Sequence, residues 1–236
     1  MALPPRDPGR VRDRWVWLLL PFMWLVLYVD FIWSPDDVTL GPTVRIFYFH
    51  MGSATVAGLA FTVTAVASAL YLWRRRPVYD RWAAASAEIG TVFTAIVLAS
   101  GILWGKAAWG IWWTWDPRLT STVILWVLFG GYLLLREWSD NPERRARYSA
   151  VLALAAYVDV PIDYMTIRWW HSIHPVVITA RGINMAPPMI AAMFLSMAAL
   201  IGVYIVWMII RLRLARAEAL LNRIKAWERA NLAEGE

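Results

Sequence analysis

The chain contains no cysteine. That excludes disulfides, thiolate metal sites, a Cys-based redox relay and covalent attachment of a prosthetic group through C-x-x-C-H. Charge is also sparse, at 17% of 236 residues, where a soluble domain carries about 25%. H-E-x-x-H and G-x-S-x-G are both missing, so zincin and serine-hydrolase arrangements are ruled out. The segment Ser100-Gly-Ile-Leu-Trp-Gly-Lys-Ala107 lacks the first glycine and the Ser/Thr of a phosphate-binding loop. The chain therefore carries no ATPase module, and any energy from ATP would come from another subunit.

What is abundant is apolar surface. Hydrophobic residues make up 60% of the sequence. Runs of about 20 such residues recur, and each is long enough to cross a ~30 Å hydrocarbon core. The expected fold is all-α: one membrane domain over residues 1–236, a bundle of six transmembrane helices. The spans are expected at about 15–31, 47–73, 82–103, 119–135, 148–164 and 188–210, followed by a cytoplasmic helical tail over 211–236. Arg6, Arg10, Arg12 and Arg14 precede the first run, and no small-residue cleavage site occurs before Trp33. The first run is thus expected to be a retained span rather than a cleaved signal. Pro21 and Pro161 sit inside spans and are expected to kink them.

The 23 Lys and Arg residues outnumber the 17 Asp and Glu, for a net charge of +6. The excess is not spread evenly. Eighteen lie before span one, between spans two and three, between spans four and five, or after span six. Only Arg45, Lys106, Arg118, Arg168 and Arg181 fall on the other side. The positive-inside rule then places both termini in the cytoplasm and three loops outside, at about 32–46, 104–118 and 165–187. Nucleic acid is not needed to explain the charge.

Five of the thirteen residues from Trp104 to Asp116 are tryptophan. Such a density of flat, amphipathic rings suits either a large planar apolar ligand or the membrane–water interface itself. As a helix, the segment would align Trp109, Trp112, Trp113 and Asp116 on one stripe and turn Trp104, Ile111 and Trp115 partly elsewhere, toward lipid. An interfacial amphipathic helix without ligand is the plainer alternative. All three histidines, His50, His171 and His174, lie on the same outer side as this segment. Imidazole ligates haem iron well, often in pairs. Arg45, Lys106, Arg118 and Arg181 are candidate partners for the propionates of a porphyrin, or else ordinary interface cations. Asp159 and Asp163, in the outer half of span five, are candidates to orient a histidine N–H or to pair with an outer arginine. Glu88, Thr91 and Thr94 mark either a local hydrogen-bond network or a polar path. The apolar stripe of Leu214, Leu221, Ile224 and Leu232 in the tail suits a solvated helix or a cytoplasmic docking surface.

Trp104 to Asp116 has the form W-G-x-x-x-W-G-x-W-W-x-W-D, continued by Pro117-Arg-Leu-Thr-Ser121. Together with Val44-Arg-Ile-Phe-Tyr-Phe-His50 and with Trp169-Trp170 ahead of His174, it resembles the WWD haem-handling membrane proteins of cytochrome c maturation. Within that group, which includes CcmF and CcsA, the likeness is greatest to the CcmC family. The resemblance covers the whole six-span layout. It implies non-covalent haem b at the outer face of the bacterial inner membrane, with His50 and His174 as axial ligands. Trp104, Trp109, Trp112, Trp113, Trp115 and Asp116 would form the binding segment. It also implies delivery of haem to the periplasmic chaperone CcmE, together with the ABC transporter subunits CcmA and CcmB and the small protein CcmD. His171 and Pro175 depart from the family pattern and leave the choice between His171 and His174 open. Three other functions are compatible with these residues: a haem lyase that attaches haem to apocytochrome, a structural subunit whose tryptophans only anchor it, and a transporter with a central path in which Glu88 matters more than either histidine. The chain is short for a lyase with a large outer domain, so carriage rather than catalysis is expected.

Overall fold

The computed structural model describes residues 14–233, apart from 140, 175, 180 and 181. It is a polytopic all-α protein with six helical stretches long and apolar enough to cross a membrane. Seven α-helices build them: α1 (Leu19–Tyr28), α2 (Val44–Arg74), α3 (Pro77–Trp109), α4 (Pro117–Trp138), α5 (Pro142–Tyr157), α6 (Asp159–Trp169) and α7 (Pro187–Ala233). A two-residue hairpin, Ile178–Thr179 with Gly182–Ile183, lies in the loop before α7.

Local chemistry sets most helix ends. Pro117 and Pro142 open α4 and α5 behind the side-chain caps Asp116 and Asn141, where a missing N–H costs nothing. Pro21 falls in the first turn of α1, preceded by a 3₁₀ turn over Arg14–Leu18, so it does not break the span. Pro161 does break one. It cannot donate to Tyr157, four residues back, and α5 ends there, with α6 starting at Asp159. The helices run past the expected span ends because polar first and last turns are still helical. α7 is the extreme case: its 47 residues amount to about 70 Å of helix, well over a bilayer's thickness.

α2 is the central helix, packed on α3, α5 and α7, while α4 packs on α3, α5 and α6. Small side chains permit the close approach of α2 and α3. Ala57, Ala60 and Ala85 are buried in that seam, and the Ser86 hydroxyl donates to the Ala60 carbonyl across it (2.8 Å). Phe61 stacks on Phe129 at 3.7 Å between α2 and α4. Val44, Phe47, Tyr48, Trp104, Met189 and Met193 form a separate apolar cluster at the end of the bundle that carries the histidines.

Glu88 resolves into local structure. It pairs with Arg211 of α7, and the Thr91 and Thr94 hydroxyls donate to Ala87 and Gly90 in their own helix. Since the Glu88–Arg211 pair is part-exposed, Glu88→Gln is expected to lower stability by no more than ~1 kcal/mol. Thermal melts in detergent check this, and a much larger loss would show that the pair is more than a local one.

Candidate functional site

Val44 to His50 opens α2, and helical periodicity turns Val44, Phe47 and Tyr48 into the core. His50 is half-buried and lies against α3. Its Nδ1 is 3.0 Å from the Ser100 hydroxyl. Its ring lies nearly parallel to Trp104, at 6.4 Å and 25°. Trp104 is 3% exposed. It contacts Phe47 at 5.6 Å and Trp109 at 4.9 Å. The expectation that Trp104 turns toward lipid is therefore wrong: it sits a full turn inside α3, on the face that meets α2.

The tryptophan segment does not form one helix either. Gly110 adopts φ 75°, a conformation that an L side chain resists. It caps α3, with its N–H on the Lys106 carbonyl (3.1 Å). Residues 111–116 are not helical, so the expected stripe of Trp109, Trp112, Trp113 and Asp116 does not exist. Trp109 stays on the helix end and meets His174 edge-on at 5.4 Å. The rings of His50, Trp104, Trp109 and His174 thus follow one another in contact. Trp113 is half-buried against Trp115. Trp112 and Trp115 are 57% and 78% exposed.

Asp116 is the hub on the other side. Its carboxylate caps α4 by accepting the Arg118 N–H (2.9 Å). It also accepts the Ile173 N–H (2.9 Å) and the Ser172 hydroxyl (3.1 Å), and lies 3.4 Å from His174 Nδ1. The carboxylate that orients a histidine is therefore Asp116, not Asp159 or Asp163. Asp163 is instead taken up by Ser121 (2.7 Å) and Thr122 (2.9 Å), with Arg118 at 3.8 Å. Burial opposes ionisation of Asp116, but the two backbone N–H groups, Ser172 and His174 outweigh it and hold the carboxyl below its usual range. Burial, partly offset by Asp116, lowers His174 below the ordinary 6.5.

Both shifts have the same sign for stability. Each group is less protonated when folded than unfolded between its two pKa values, so the folded loop loses stability as pH falls. For His174 the contribution is complete above 6.5 and is lost as pH drops below that value. Retention of a ligand at His174, and protease protection of the loop between α6 and α7, are expected to decline together below about pH 6.5. A pH titration of both checks this, and a flat profile from 7.5 to 5 would oppose it.

His50 and His174 border the same two cavities, of about 90 and 290 Å³, and Arg118, Met51 and Tyr164 line both as well. Trp104 and Arg168 line the smaller one. The indole N–H of Trp104 is buried with no hydrogen-bond partner. Two of the candidate cations are engaged elsewhere. Arg45 bonds Asp36 (2.8 Å); Lys106 bonds the Gly110 carbonyl (3.0 Å) and lies 5.5 Å over the Trp112 ring. Arg181 lies outside the described residues. His171 is exposed and borders neither cavity. Ser100 and Ser172 escaped the sequence-based site, whereas Arg168 was already among the outer cations that the sequence placed on this side. Only Ser100 carried a signal, four residues before Trp104 and so on the same helical face.

These features define a polytopic helical membrane protein in which two distant histidines share a cavity with Trp104 on its wall, while Trp109, Trp112, Trp113 and Trp115 border neither cavity. Residues 8–229 match the family described as Heme exporter protein C, CcmC. The chain is 39% identical to Heme exporter protein C of Bradyrhizobium diazoefficiens over 60% of its own length and 54% of that protein's. It is 34% identical to the Paracoccus denitrificans protein of that name, over 80% and 82% of the two chains. A putative cytochrome c biosynthesis ccmC-like mitochondrial protein of Marchantia polymorpha is 30% identical over 78% and 81%. The chain thus spans about half the length of the first of these relatives and about four-fifths of the other two. It belongs to the heme exporter protein C family, which handles haem for cytochrome c maturation.

Proposed function

We propose that this protein holds haem b without a covalent bond at the outer face of the inner membrane and passes it to the chaperone CcmE. CcmA, CcmB and CcmD are its companions in that reaction. The observation that carries this is the paired histidines on one cavity. Among the described residues no site gathers three or more His, Cys, Asp or Glu side chains. A bare metal ion needs more ligands than that. Two imidazoles can fill both axial positions of a haem iron.

The rest of the site suits the same cargo. Each histidine has its Nδ1 beside a hydrogen-bonding partner, Ser100 for His50 and Asp116 with Ser172 for His174. That leaves Nε2 for iron, the usual division of labour in metal-binding histidines. Arg118 makes only a loose pair with Asp163 and borders both cavities, which makes it the best-placed propionate partner. The unpartnered Trp104 N–H lies on the same wall. The cavities fall at or below the roughly 300 Å³ at which ligand pockets begin. Taking up a haem therefore requires these cavities to widen. The charge asymmetry supports placing this end outside, with both termini in the cytoplasm.

The test is the absorption spectrum of the protein purified after haem supply, wild type against His50→Ala/His174→Ala. A Soret band confined to the wild type is expected. A wild type without one would remove the haem site.

A further inference from the structure

A cavity of about 650 Å³ lies among the ends of α2 and α4, the first turns of α3 and α5, and α7. This is the end of the bundle away from the histidines, cytoplasmic in the orientation proposed above. The cavity is more than twice the size of either one beside the histidines and falls within the roughly 300–1,000 Å³ of ligand pockets. Tyr71, Ala85 and Ala146 line it and are buried, so it is a pit between helix ends rather than a surface groove.

What the pit lacks is negative charge at depth. Its part-buried side chains include four arginines, Arg81, Arg136, Arg145 and Arg211, and one carboxylate, Asp80. Arg136 and Asp80 cancel through two hydrogen bonds, of 2.6 and 2.9 Å. Arg211 pairs with Glu88, which lies outside the lining. Arg81 and Arg145 pair with no carboxylate among the described residues. The other acids of the lining, Glu137, Glu143 and Glu218, are exposed and are left to water. The Nε of Arg145 and that of Arg211 are buried without a hydrogen-bond partner, and an unmade bond at a buried donor costs free energy. α3 also starts on this pit at Pro77, with no side chain capping its first turn, which adds a weaker positive potential. The positive-inside rule accounts for arginines on this side. It does not account for two of them held part-buried, without counter-charge, around one pit.

We propose that the pit binds a phosphate group between Arg81 and Arg145. Phosphate oxygens match the guanidinium fork, and the group supplies the charge that the lining lacks. Two sources carry that chemistry: the headgroup of an anionic phospholipid in the adjoining leaflet, and a free phosphate in the cytoplasm.

The full chain in a maltoside detergent, which carries no phosphate, tests both. Added phosphatidylglycerol, read as lipid retained in native mass spectrometry, probes the first source. Inorganic phosphate, titrated by calorimetry, probes the second. At least one should bind at a single site. Arg81→Gln/Arg145→Gln should weaken that binding about ten- to hundred-fold, the worth of hydrogen bonds to a charged group. Arg144→Gln/Arg147→Gln removes the same charge from exposed positions of α5 and should leave binding unchanged. If melts show that the first pair does not fold, Arg81→Lys/Arg145→Lys keeps the charge, loses the fork and should still weaken binding. A wild type that binds neither probe overturns the proposal. So does an equal loss in the two glutamine pairs, which would mean diffuse attraction to a basic surface. Binding of phosphatidylglycerol alone assigns the site to lipid, and binding of phosphate alone assigns it to a soluble ligand.

Discussion

His174→Ala is expected to strip the protein of its Soret band after haem supply, and His50→Ala to do the same. These two imidazoles border common cavities, and among the described residues no third group in a metal-binding cluster could stand in for either. Losing a partner in the outer shell of a metal site typically costs about 10- to 100-fold in affinity. Losing a ligand itself should therefore cost at least about 100-fold, enough to empty the site during purification. His171→Ala is the control. Its side chain is exposed and away from the cavities, so its spectrum should match the wild type. Undiminished haem in the double His50/His174 variant would rule out axial ligation by this pair.

The second large effect belongs to Asp116, which touches no haem in this scheme. Asp116 is 7% exposed. Its removal strands the Ile173 and Arg118 N–H groups and the Ser172 hydroxyl. Each of these part-buried donors costs about 1 kcal/mol when left without an acceptor, the low end of the range for buried ones, and the Arg118 N–H among them is itself the lost helix cap. About 2–3 kcal/mol is therefore expected for Asp116→Ala, concentrated in the loop that carries Ser172 and Ile173. His174 would lose its orienting carboxylate at the same time, so haem retention should fall about 10- to 100-fold. Asp116→Asn keeps a side-chain acceptor for the cap and should lose less stability, while still failing to anchor His174 with a charge. Thermal melts, limited proteolysis of the loop and haem titration check these effects together. Wild-type protection and affinity in Asp116→Ala would show that the hub is dispensable.

Asp116 also shows where sequence reasoning stops. Its place at the end of the tryptophan motif marked it as a site residue. Its partners Ser172 and Ile173 are 56 and 57 residues away, and no periodicity links them. Trp104 makes the same point in the other direction. Its spacing placed it off the stripe formed by Trp109, Trp112, Trp113 and Asp116. That stripe presumed a continuous helix, and a glycine with φ 75° ends it at residue 110. The sequence displayed Gly110, but a glycine within a helical pattern and a glycine that terminates one look alike until the chain beyond is placed.

What the sequence determined by itself was the class of fold, the six apolar stretches and the segregation of basic residues away from the three histidines. Those properties are local. The length of an apolar run decides whether it can cross a bilayer, and the charge of a loop is additive over its residues. Tertiary structure decided which side chains meet: His50 with Ser100 across α2 and α3, His174 with Asp116 across two loops, and Trp104 in the core rather than in lipid. Such meetings depend on how each helix is rotated about its axis and on where it ends. Those quantities are set by packing against all its neighbours at once, which no short stretch of sequence encodes.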